Sequence, residues 1–358
     1  MALIEIRGVT TIFGPAPPTA LRKLRSGLDK SALLGSGHTL ALRDVDLDIE
    51  AGEIFVLMGP SGSGKSTLLR HINRLIEPTA GRVHVDGQDV MALRTRELVA
   101  LRRRRMAMVF QGFGLLDHRR VVDNVALGLE LRGVGQRERR TRAMQWIERV
   151  GLSGYEERLP AQLSGGMRQR VGLARALASE TDIILMDEPF SALDPPIRAQ
   201  LQRELLALQA EQGRTVVFVT HDLDEALRIG SRLAILRDGA VVQVGTPWEV
   251  LTQPADAPSA DFARHVNRAR ALAIGSALAP WPADLPMPDP ANATDTVDAD
   301  ASIEQVLHQL VGRTDPLAVR RGNVIVGQVS MSSVRALLAP PDRVSPRQVP
   351  EGSENRSA

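Results

Sequence analysis

The chain has 358 residues, of which 43% are hydrophobic and 24% are charged, as in ordinary soluble globular proteins. Its formal net charge of +2 and its aromatic content of 3% argue against a nucleic-acid partner, and the lack of cysteine excludes disulfides and thiolate metal sites. No apolar run reaches the roughly 18 residues of a membrane-spanning helix, and the N-terminus lacks the pattern of a signal peptide. The length predicts one large domain and a smaller one.

The first fifty residues predict a strand, a surface helix and a second strand. Residues 2–13 alternate like a strand or a hairpin, and Phe13 at their end either stacks on an adenine ring or is an ordinary strand aromatic. From Pro15 to His38, leucines recur among basic residues at a spacing that predicts one short amphipathic helix packed on the surface. Alternating apolar residues from Leu40 to Ile49 predict the next strand.

A glycine-rich loop between a strand and a helix is the pattern of a phosphate-binding P-loop. The strand is the apolar run Ile54 to Met58, and the segment that follows it is Gly59, Pro60, Ser61, Gly62, Ser63, Gly64, Lys65, Ser66 and Thr67. Its glycines let backbone N–H groups line a concavity for anionic oxygens, with Lys65 on the β- and γ-phosphates and the Ser66 hydroxyl on Mg²⁺. Among 44 Lys+Arg, lysine occurs only at Lys23, Lys30 and Lys65, which favours a required ammonium group over a chance glycine-rich turn.

The middle of the chain predicts a strand and then several helices. The strand is at 82–87, and the pattern from about Met91 to Ser179 is mainly helical. Two arginine-rich clusters, at 102–105 and 137–142, lie inside this stretch. Such clusters usually form solvated helix faces. Contact with anionic lipid headgroups beside a membrane partner is the functional alternative, and nucleic acid is a third that the near-neutral charge disfavours.

Polar residues follow two apolar runs in the next part of the chain. Ile183 to Met186 is followed by Asp187 and Glu188, and Thr215 to Val219 leads to His221. Alternating helices and strands up to Val244 predict a parallel α/β sheet with its site at the carboxyl edge. There Asp187 is placed to hold Mg²⁺, and Glu188 to orient and deprotonate an attacking water. His221 is either a hydrogen-bond donor to the γ-phosphate or a structural histidine.

The composition changes after about residue 265. Five prolines from Pro280 to Pro290 mark a linker at 266–295. Residues 296–340 predict a small α+β region with two helices and a hairpin around Gly322-Asn323. Residues 341–358 are polar and contain proline and serine, and we expect them to be disordered.

Further motifs carry a family resemblance. They are Gln111 after Met108-Val109-Phe110, the segment Leu163-Ser164-Gly165-Gly166-Met167-Arg168-Gln169 before a helix, and Ser191-Ala192-Leu193-Asp194 after Glu188. Together with the P-loop and His221, they resemble the nucleotide-binding subunits of ABC transporters over about residues 1–260. The resemblance implies that residues 1–265 form a P-loop NTPase (RecA-like) ABC nucleotide-binding domain with a helical subdomain at about 92–178. It also implies ATP and Mg²⁺ as cofactors.

The resemblance assigns roles to individual residues. Those expected to be catalytic are Glu188, His221 and Gln111, and those expected at the metal are Ser66, Gln111 and Asp187. The resemblance further implies a head-to-tail homodimer. In it, Ser164, Gly165 and Gly166 of one subunit cap the ATP held by the P-loop of the other, and Asp194 in the D-loop (Ser191–Asp194) touches the opposite subunit.

Two kinds of feature are similar to the glycine betaine/proline branch of ABC transporters, which imports quaternary ammonium osmolytes. They are the insertion from Pro15 to His38 and sequence segments such as Asn73 to Thr79. This implies an integral membrane permease, an extracytoplasmic solute-binding protein acting indirectly, and a peripheral place at the cytoplasmic face of the bacterial inner membrane. Residues 296–340 resemble one CBS module, which pairs across the dimer or is a degenerate remnant. The alternatives are an importer of another solute, such as a polyamine or an amino acid, and a soluble ABC ATPase acting in translation or DNA repair.

Overall fold

The computed structural model describes residues 2–264, 269, 272–281, 296–299 and 301–338. It contains two compact units, Met1–Pro247 and Trp248–Ala358. In the ranges just given, every helix is too short or too polar to cross a membrane. The expected disordered tail and most of the expected linker lie outside the described residues.

Thirteen strands and thirteen helices make up the described structure. The strands are β1 (Ala2–Phe13), β2 (Thr39–Glu50), β3 (Ile54–Met58), β4 (Ala80–Val85), β5 (Gln88–Asp89), β6 (Met106–Val109), β7 (Ile183–Asp187), β8 (Thr215–Thr220), β9 (Arg232–Arg237), β10 (Ala240–Gly245), β11 (Thr296–Asp298), β12 (Leu317–Arg321) and β13 (Val324–Val329). The helices are α1 (Pro17–Arg25), α2 (Lys30–Gly35), α3 (Lys65–Ile72), α4 (Thr95–Arg105), α5 (Val121–Leu131), α6 (Gln136–Arg149), α7 (Gly165–Ala178), α8 (Pro195–Gln212), α9 (Leu223–Ile229), α10 (Pro247–Thr252), α11 (Ala257–Arg264), α12 (Ile303–Leu310) and α13 (Met331–Leu338). Short 3-10 turns add Pro160–Gln162 and Ile274–Ala277.

A six-stranded sheet in the order β10-β9-β3-β8-β7-β6 forms the centre of the first unit. All neighbours pair in parallel except β10, which pairs antiparallel with β9 at the edge. Every residue of β3, β7 and β8 is buried, as the continuous apolar runs of a parallel sheet require. The predicted parallel α/β sheet is therefore confirmed.

A second, antiparallel sheet has the order β2-β1-β4-β5. The expected strand or hairpin at residues 2–13 is a single strand, and it pairs with both β2 and β4. Its buried side chains, such as Ile4 and Ile6, share one hydrophobic core with Phe55 and Leu57 of the central sheet. The apolar contact between the two sheets therefore fixes the strand that leads into the P-loop.

The insertion after β1 contains two helices, so the expectation of one helix was wrong. The chain breaks at Gly27, whose φ of +101° suits only glycine, and α2 restarts behind Asp29, whose side chain accepts a hydrogen bond from Ala32 N. The first of them, α1, is amphipathic, as was expected of the single helix. Leu21 of α1 and Leu33 of α2 pack in a small core with Ile12 and Leu40, which holds the insertion on the second sheet.

The stretch predicted to be mainly helical contains one strand as well. Residues 106–109 form β6, which pairs in parallel with β7, so this part of the predicted helical segment belongs to the central sheet. Four apolar residues between two helical patterns are too short a run for periodicity to separate strand from helix. Further along the chain, α5, α6 and α7 pack on one another as expected.

In the second unit, β11, β12 and β13 form a three-stranded sheet accompanied by α12 and α13. The hairpin expected around Gly322-Asn323 is present between β12 and β13. Ala273 and Ala279 fall inside the expected linker, yet they pair with Ser302 and Gln328. Residues 272–281 are therefore attached to this sheet, because their backbone groups find partners there that a free linker would lack.

Candidate active site

The loop between β3 and α3 is packed so closely that two of its residues must be glycine. Gly59 has a φ of +143°, and a Cβ added there would lie 2.0 Å from the carbonyl oxygen of Leu236. Gly64 has a φ of +100°, and its Cβ would lie 2.5 Å from the carbonyl oxygen of Ala41. The neighbouring backbone of β9 and β2 therefore fixes the shape of the loop.

Inside this loop, the buried polar groups match an anionic ligand. Lys65 is 5% exposed, and its Nζ donates to the carbonyl oxygens of Gly59 and Pro60, each at 2.8 Å. Burial lowers the pKa of Lys65, while Glu188 and Asp187 oppose that shift. Ser63 is 3% exposed, and its Oγ is a buried hydroxyl with no partner among the described residues. An ammonium group and an unpaired hydroxyl in a glycine loop fit phosphate oxygens.

The remaining residues of the P-loop segment are more accessible. Ser61 and Gly62 are exposed at the loop tip, and Thr67 is partly buried in the first turn of α3. Phe13 lies at the end of β1 with 43% of its surface exposed, so its ring is free to stack on a planar group. Its proposed contact with adenine stays a prediction.

Asp187 connects the end of β7 to the P-loop helix. It is completely buried, its Oδ1 accepts from Ser66 Oγ at 2.6 Å, and its Oδ2 accepts from an Arg70 guanidinium nitrogen at 3.1 Å. The structure thus joins Ser66 and Asp187, two of the three residues expected at Mg²⁺, and a hydroxyl with a carboxylate is a donor set that suits this ion. Sequence reasoning missed Arg70, although its place four residues after Ser66 puts both on one face of α3.

The three residues expected to be catalytic meet at one edge of the central sheet. Gln111, Glu188 and His221 follow the carboxyl ends of the neighbouring strands β6, β7 and β8. Gln111 Nε2 donates to Glu188 Oε2 at 3.4 Å, and His221 Nδ1 lies 3.2 Å from Glu188 Oε1. The glutamate side chain is mostly buried at 17% exposure, whereas that of His221 is 58% exposed. The arrangement places one carboxylate where parallel strands direct their polar ends.

Ser164, Gly165 and Gly166, together called the signature turn, begin α7. Ser164 is exposed and caps the helix, since its Oγ accepts from Met167 N at 3.3 Å. Within the described part of this chain, no hydrogen bond joins the signature turn to the P-loop. Asp194 is likewise exposed, at the start of α8, with no side-chain capping bond. Both groups of residues are open to a partner.

Known proteins resemble this chain in sequence and in structure. A family model described as "ABC transporter" matches residues 42–191. The glycine betaine/proline betaine transport system ATP-binding protein of Salmonella typhimurium is 46% identical over 337 residues, which cover 94% of this chain and 82% of that protein. The trimethylamine N-oxide transport system ATP-binding protein of Ruegeria pomeroyi is 50% identical over 76% of this chain and 80% of its own length.

A solved structure agrees with the sequence comparisons. It is the dimeric structure of a post-hydrolysis state of an ATP-binding cassette bound to ADP and Pi. It is 36% identical, has a TM-score of 0.60, and covers 68% of this chain and 98% of its own chain. The predicted ABC cassette fold is thereby confirmed, and the chain belongs to the family of ABC transporter ATP-binding subunits.

Proposed function

We propose that the chain is the ATP-hydrolysing subunit of an importer for glycine betaine, proline betaine or a similar quaternary ammonium osmolyte. The observation that carries the hydrolytic part is the meeting of Gln111, Glu188 and His221 beside the Ser66–Asp187 pair at one sheet edge. The named relatives support the cargo, since they belong to transport systems for glycine betaine/proline betaine and trimethylamine N-oxide.

The residues divide the chemistry between them. Backbone N–H groups of the P-loop and the Lys65 ammonium bind the phosphates, since two of the ammonium's three donors bond the carbonyls of Gly59 and Pro60 and the third is left for a phosphate oxygen. Ser66 and Asp187 would hold Mg²⁺, whose charge offsets that of the phosphates. Glu188 orients the attacking water and takes its proton, and His221 donates to the γ-phosphate. Gln111 lies on the opposite side of the glutamate from His221 and fixes its carboxylate.

Two copies of the chain form the working unit in this proposal. Ser164 and Asp194 are exposed, Gly165 and Gly166 are half-buried, and in the described residues none of them makes a hydrogen bond to the P-loop of its own chain. In a head-to-tail homodimer, the signature turn brings a helix N-terminus to the phosphates held by the partner, where its positive end stabilises their charge. The solved dimeric relative supports this arrangement.

In this proposal the chain lies at the cytoplasmic face of the bacterial inner membrane, and its partner there is a separate integral membrane permease fed by an extracytoplasmic solute-binding protein. We expect a segment of the permease to bind in an apolar groove of about 300 Å³. The residues that line this groove include Met108, Phe110, Leu127 and Leu131. Gly114 and Arg175 border the same groove, and Arg175 donates to the carbonyl oxygens of Phe113 and Gly114. A partner there would touch the segment that leads from Gln111.

We also propose that residues 1–265 form the ABC nucleotide-binding domain and that residues 296–340 form a CBS-like module. The order β11-α12-β12-β13-α13 around one three-stranded sheet supports a single small α+β unit. Transport by the chain truncated after residue 270 tests a regulatory role. Equal responses to osmolarity with and without these residues would exclude the module as the sensor.

Glu188→Gln tests the assignment of the base. The variant should bind ATP and form a stable dimer. It should hydrolyse ATP about 10²–10⁴ times more slowly, because an amide cannot take the proton of the attacking water. Purified protein with Mg²⁺ and ATP is sufficient for the measurement, and Glu211→Gln on α8 serves as the matched control. Turnover near that of the wild type would refute the role of Glu188.

The cargo requires a transport assay. Vesicles containing the permease and its binding protein should take up glycine betaine only with ATP and the wild-type chain on the ATPase side. Parallel arms with trimethylamine N-oxide, choline, spermidine and an amino acid separate the alternatives. Uptake of spermidine alone would transfer the chain to another importer class, and co-purification with ribosomes or DNA instead of a permease would favour the non-transport alternative.

A further inference from the structure

Gln169 is a buried side chain that joins three functional segments of the same subunit. It lies in the second turn of α7, is 1% exposed, and uses both ends of its amide. Its Nε2 donates to the carbonyl oxygen of Glu188 at 3.0 Å, and its Oε1 accepts from the N–H of Ala192 at 2.9 Å. One glutamine thus connects the helix of the signature turn to the catalytic glutamate and to the D-loop.

The first turn of α7 also contacts the D-loop directly. A Cβ added at Gly166 would lie 3.1 Å from the carbonyl oxygen of Ala192 and 3.6 Å from the side chain of Leu193. The N–H of Ala192 is bonded to Gln169 while its carbonyl lies against Gly166. The helix that starts with the signature turn therefore contacts the D-loop backbone at Ala192 twice, by a hydrogen bond to its N–H and by close packing of Gly166 against its carbonyl.

The backbone of Glu188 needs such support. Its φ is +48°, in the left-handed region that residues with a side chain rarely adopt. Its N–H donates to Val219 O at 3.1 Å, and its carbonyl accepts from Gln169 Nε2 and from Ser191 Oγ, each at 3.0 Å. A backbone with a positive φ at such a residue is kept in place by the contacts around it. Of the three hydrogen bonds just given, the one from Gln169 comes from α7.

We propose that Gln169 is a positioning residue that sets Glu188 and the D-loop relative to the signature turn of the same subunit. Through it, docking of the signature turn on the partner's ATP fixes the place of this subunit's own base. The inference rests on the proposed function, because it needs a dimer in which the signature turn serves the opposite site. The glutamine amide supplies one donor and one acceptor at these two points without depending on pH.

Gln169→Met tests the link by removing both hydrogen bonds at similar length. We expect kcat for ATP to fall on the order of tenfold or more, because a small displacement of a catalytic group is costly, while KM stays within about twofold. The matched control is Gln202→Met. Gln202 is also a buried glutamine, at 4% exposure, and its Nε2 donates to Glu225 Oε1 at 2.9 Å on a different helix pair.

Gln169→Glu gives a sharper test, since the variant has the size and shape of the wild-type side chain. The ionised carboxylate still accepts from Ala192 but cannot donate to Glu188, whereas the protonated acid does both. Burial raises the pKa of a glutamate at this position, so the carboxyl becomes protonated as the pH falls. We therefore expect kcat of Gln169→Glu, relative to the wild type, to rise from about pH 8.5 to about pH 6, and the ratio for Gln169→Met to stay flat.

The outcomes separate the inference from the function on which it rests. Wild-type protein that fails to hydrolyse ATP would refute the proposed function itself. If the wild type hydrolyses ATP and Gln169→Met keeps its kcat, Gln169 does not position the base. A loss shared equally by Gln202→Met, or a pH ratio for Gln169→Glu as flat as that for Gln169→Met, would assign the effect to general packing and overturn the inference.

Discussion

The P-loop and the signature turn differ in how their polar groups are satisfied within one chain. Lys65 is buried and bonded to two loop carbonyls, and Ser66 is bonded to Asp187. Ser164 is exposed and, among the described residues, bonds the first turn of its own helix. The first region is shaped completely by this chain, whereas the second presents its polar groups outward. One chain therefore completes its own phosphate cradle, while the turn proposed to cap a partner's nucleotide is left open.

The largest expected effect comes from removing the charge inside the cradle. Lys65→Met should reduce ATP hydrolysis on the order of 10²–10³-fold, because the phosphates lose a fixed positive group. The free energy of unfolding of the nucleotide-free variant should lie within about 1 kcal/mol of the wild-type value, because a desolvated ammonium is replaced by an apolar group. Hydrolysis assays and urea unfolding measure the two quantities. Lys23→Met, at an exposed position of α1, is the control, and an equal loss there would contradict the prediction.

The next effect concerns the cap. Ser164→Arg should lower hydrolysis by at least about tenfold, because a long cation displaces the signature turn from the partner's ATP. Binding of ATP to the isolated subunit should be unchanged, as the P-loop lies elsewhere in the chain. Fluorescent nucleotide titration and gel filtration with ATP distinguish the two steps. The matched control is Ser153→Arg, at an exposed serine of the helical region. Weakened ATP binding by the monomeric Ser164→Arg variant would refute the division of roles between the P-loop and the signature turn.

A smaller effect is expected at the carboxylate under the cradle. Arg70→Met removes the cation beside the buried Asp187 and should lower the unfolding free energy of the nucleotide-free protein by about 1 kcal/mol. The Arg70 side chain is 37% exposed, which keeps the effect at this low level. With Mg²⁺ and ATP the difference should shrink, because the metal supplies positive charge to Asp187. Urea unfolding with and without Mg²⁺ and ATP measures this loss of stability, and Arg96→Met, at an exposed arginine, is the control. A loss that persists with Mg²⁺ and ATP would contradict the prediction.

The smallest effect concerns the far end of the P-loop helix. His71 is fully buried between Thr11 Oγ1 and the carbonyl oxygen of Ile76, and burial lowers its pKa. Below about pH 6.5 the unfolded chain gains a proton that the folded one does not, so stability should fall by up to about 1.4 kcal/mol per pH unit until the folded pKa is reached. His71→Gln should lack this slope between pH 7 and pH 5, and the exposed His118→Gln should retain it. An unchanged slope in His71→Gln would exclude the histidine as its cause.

The central sheet and its edge were predictable from sequence because they depend on local patterns. Continuous apolar runs predicted β3, β7 and β8, and the residues after them predicted Asp187, Glu188 and His221 at one edge. Arg70 was not predicted, because its partner Asp187 lies 117 residues away and helix periodicity alone does not name that partner. The second helix of the insertion was missed because the break depends on the positive φ of Gly27. The four residues of β6 were too few for their period to be recognised.

The two carbonyl bonds of Lys65 have a consequence for how tightly this loop retains a nucleotide. An ammonium has three N–H donors, and the loop carbonyls take two of them at 2.8 Å, so the third donor can reach a phosphate oxygen while any further phosphate contact replaces an existing bond at a net gain of about 1 kcal/mol or less. The bonds that Lys65 makes to its own loop also hold the shape of the phosphate cradle. A cradle whose shape is set by bonds within the chain does not have to refold for each nucleotide, which suits a subunit that must bind and release ATP many times.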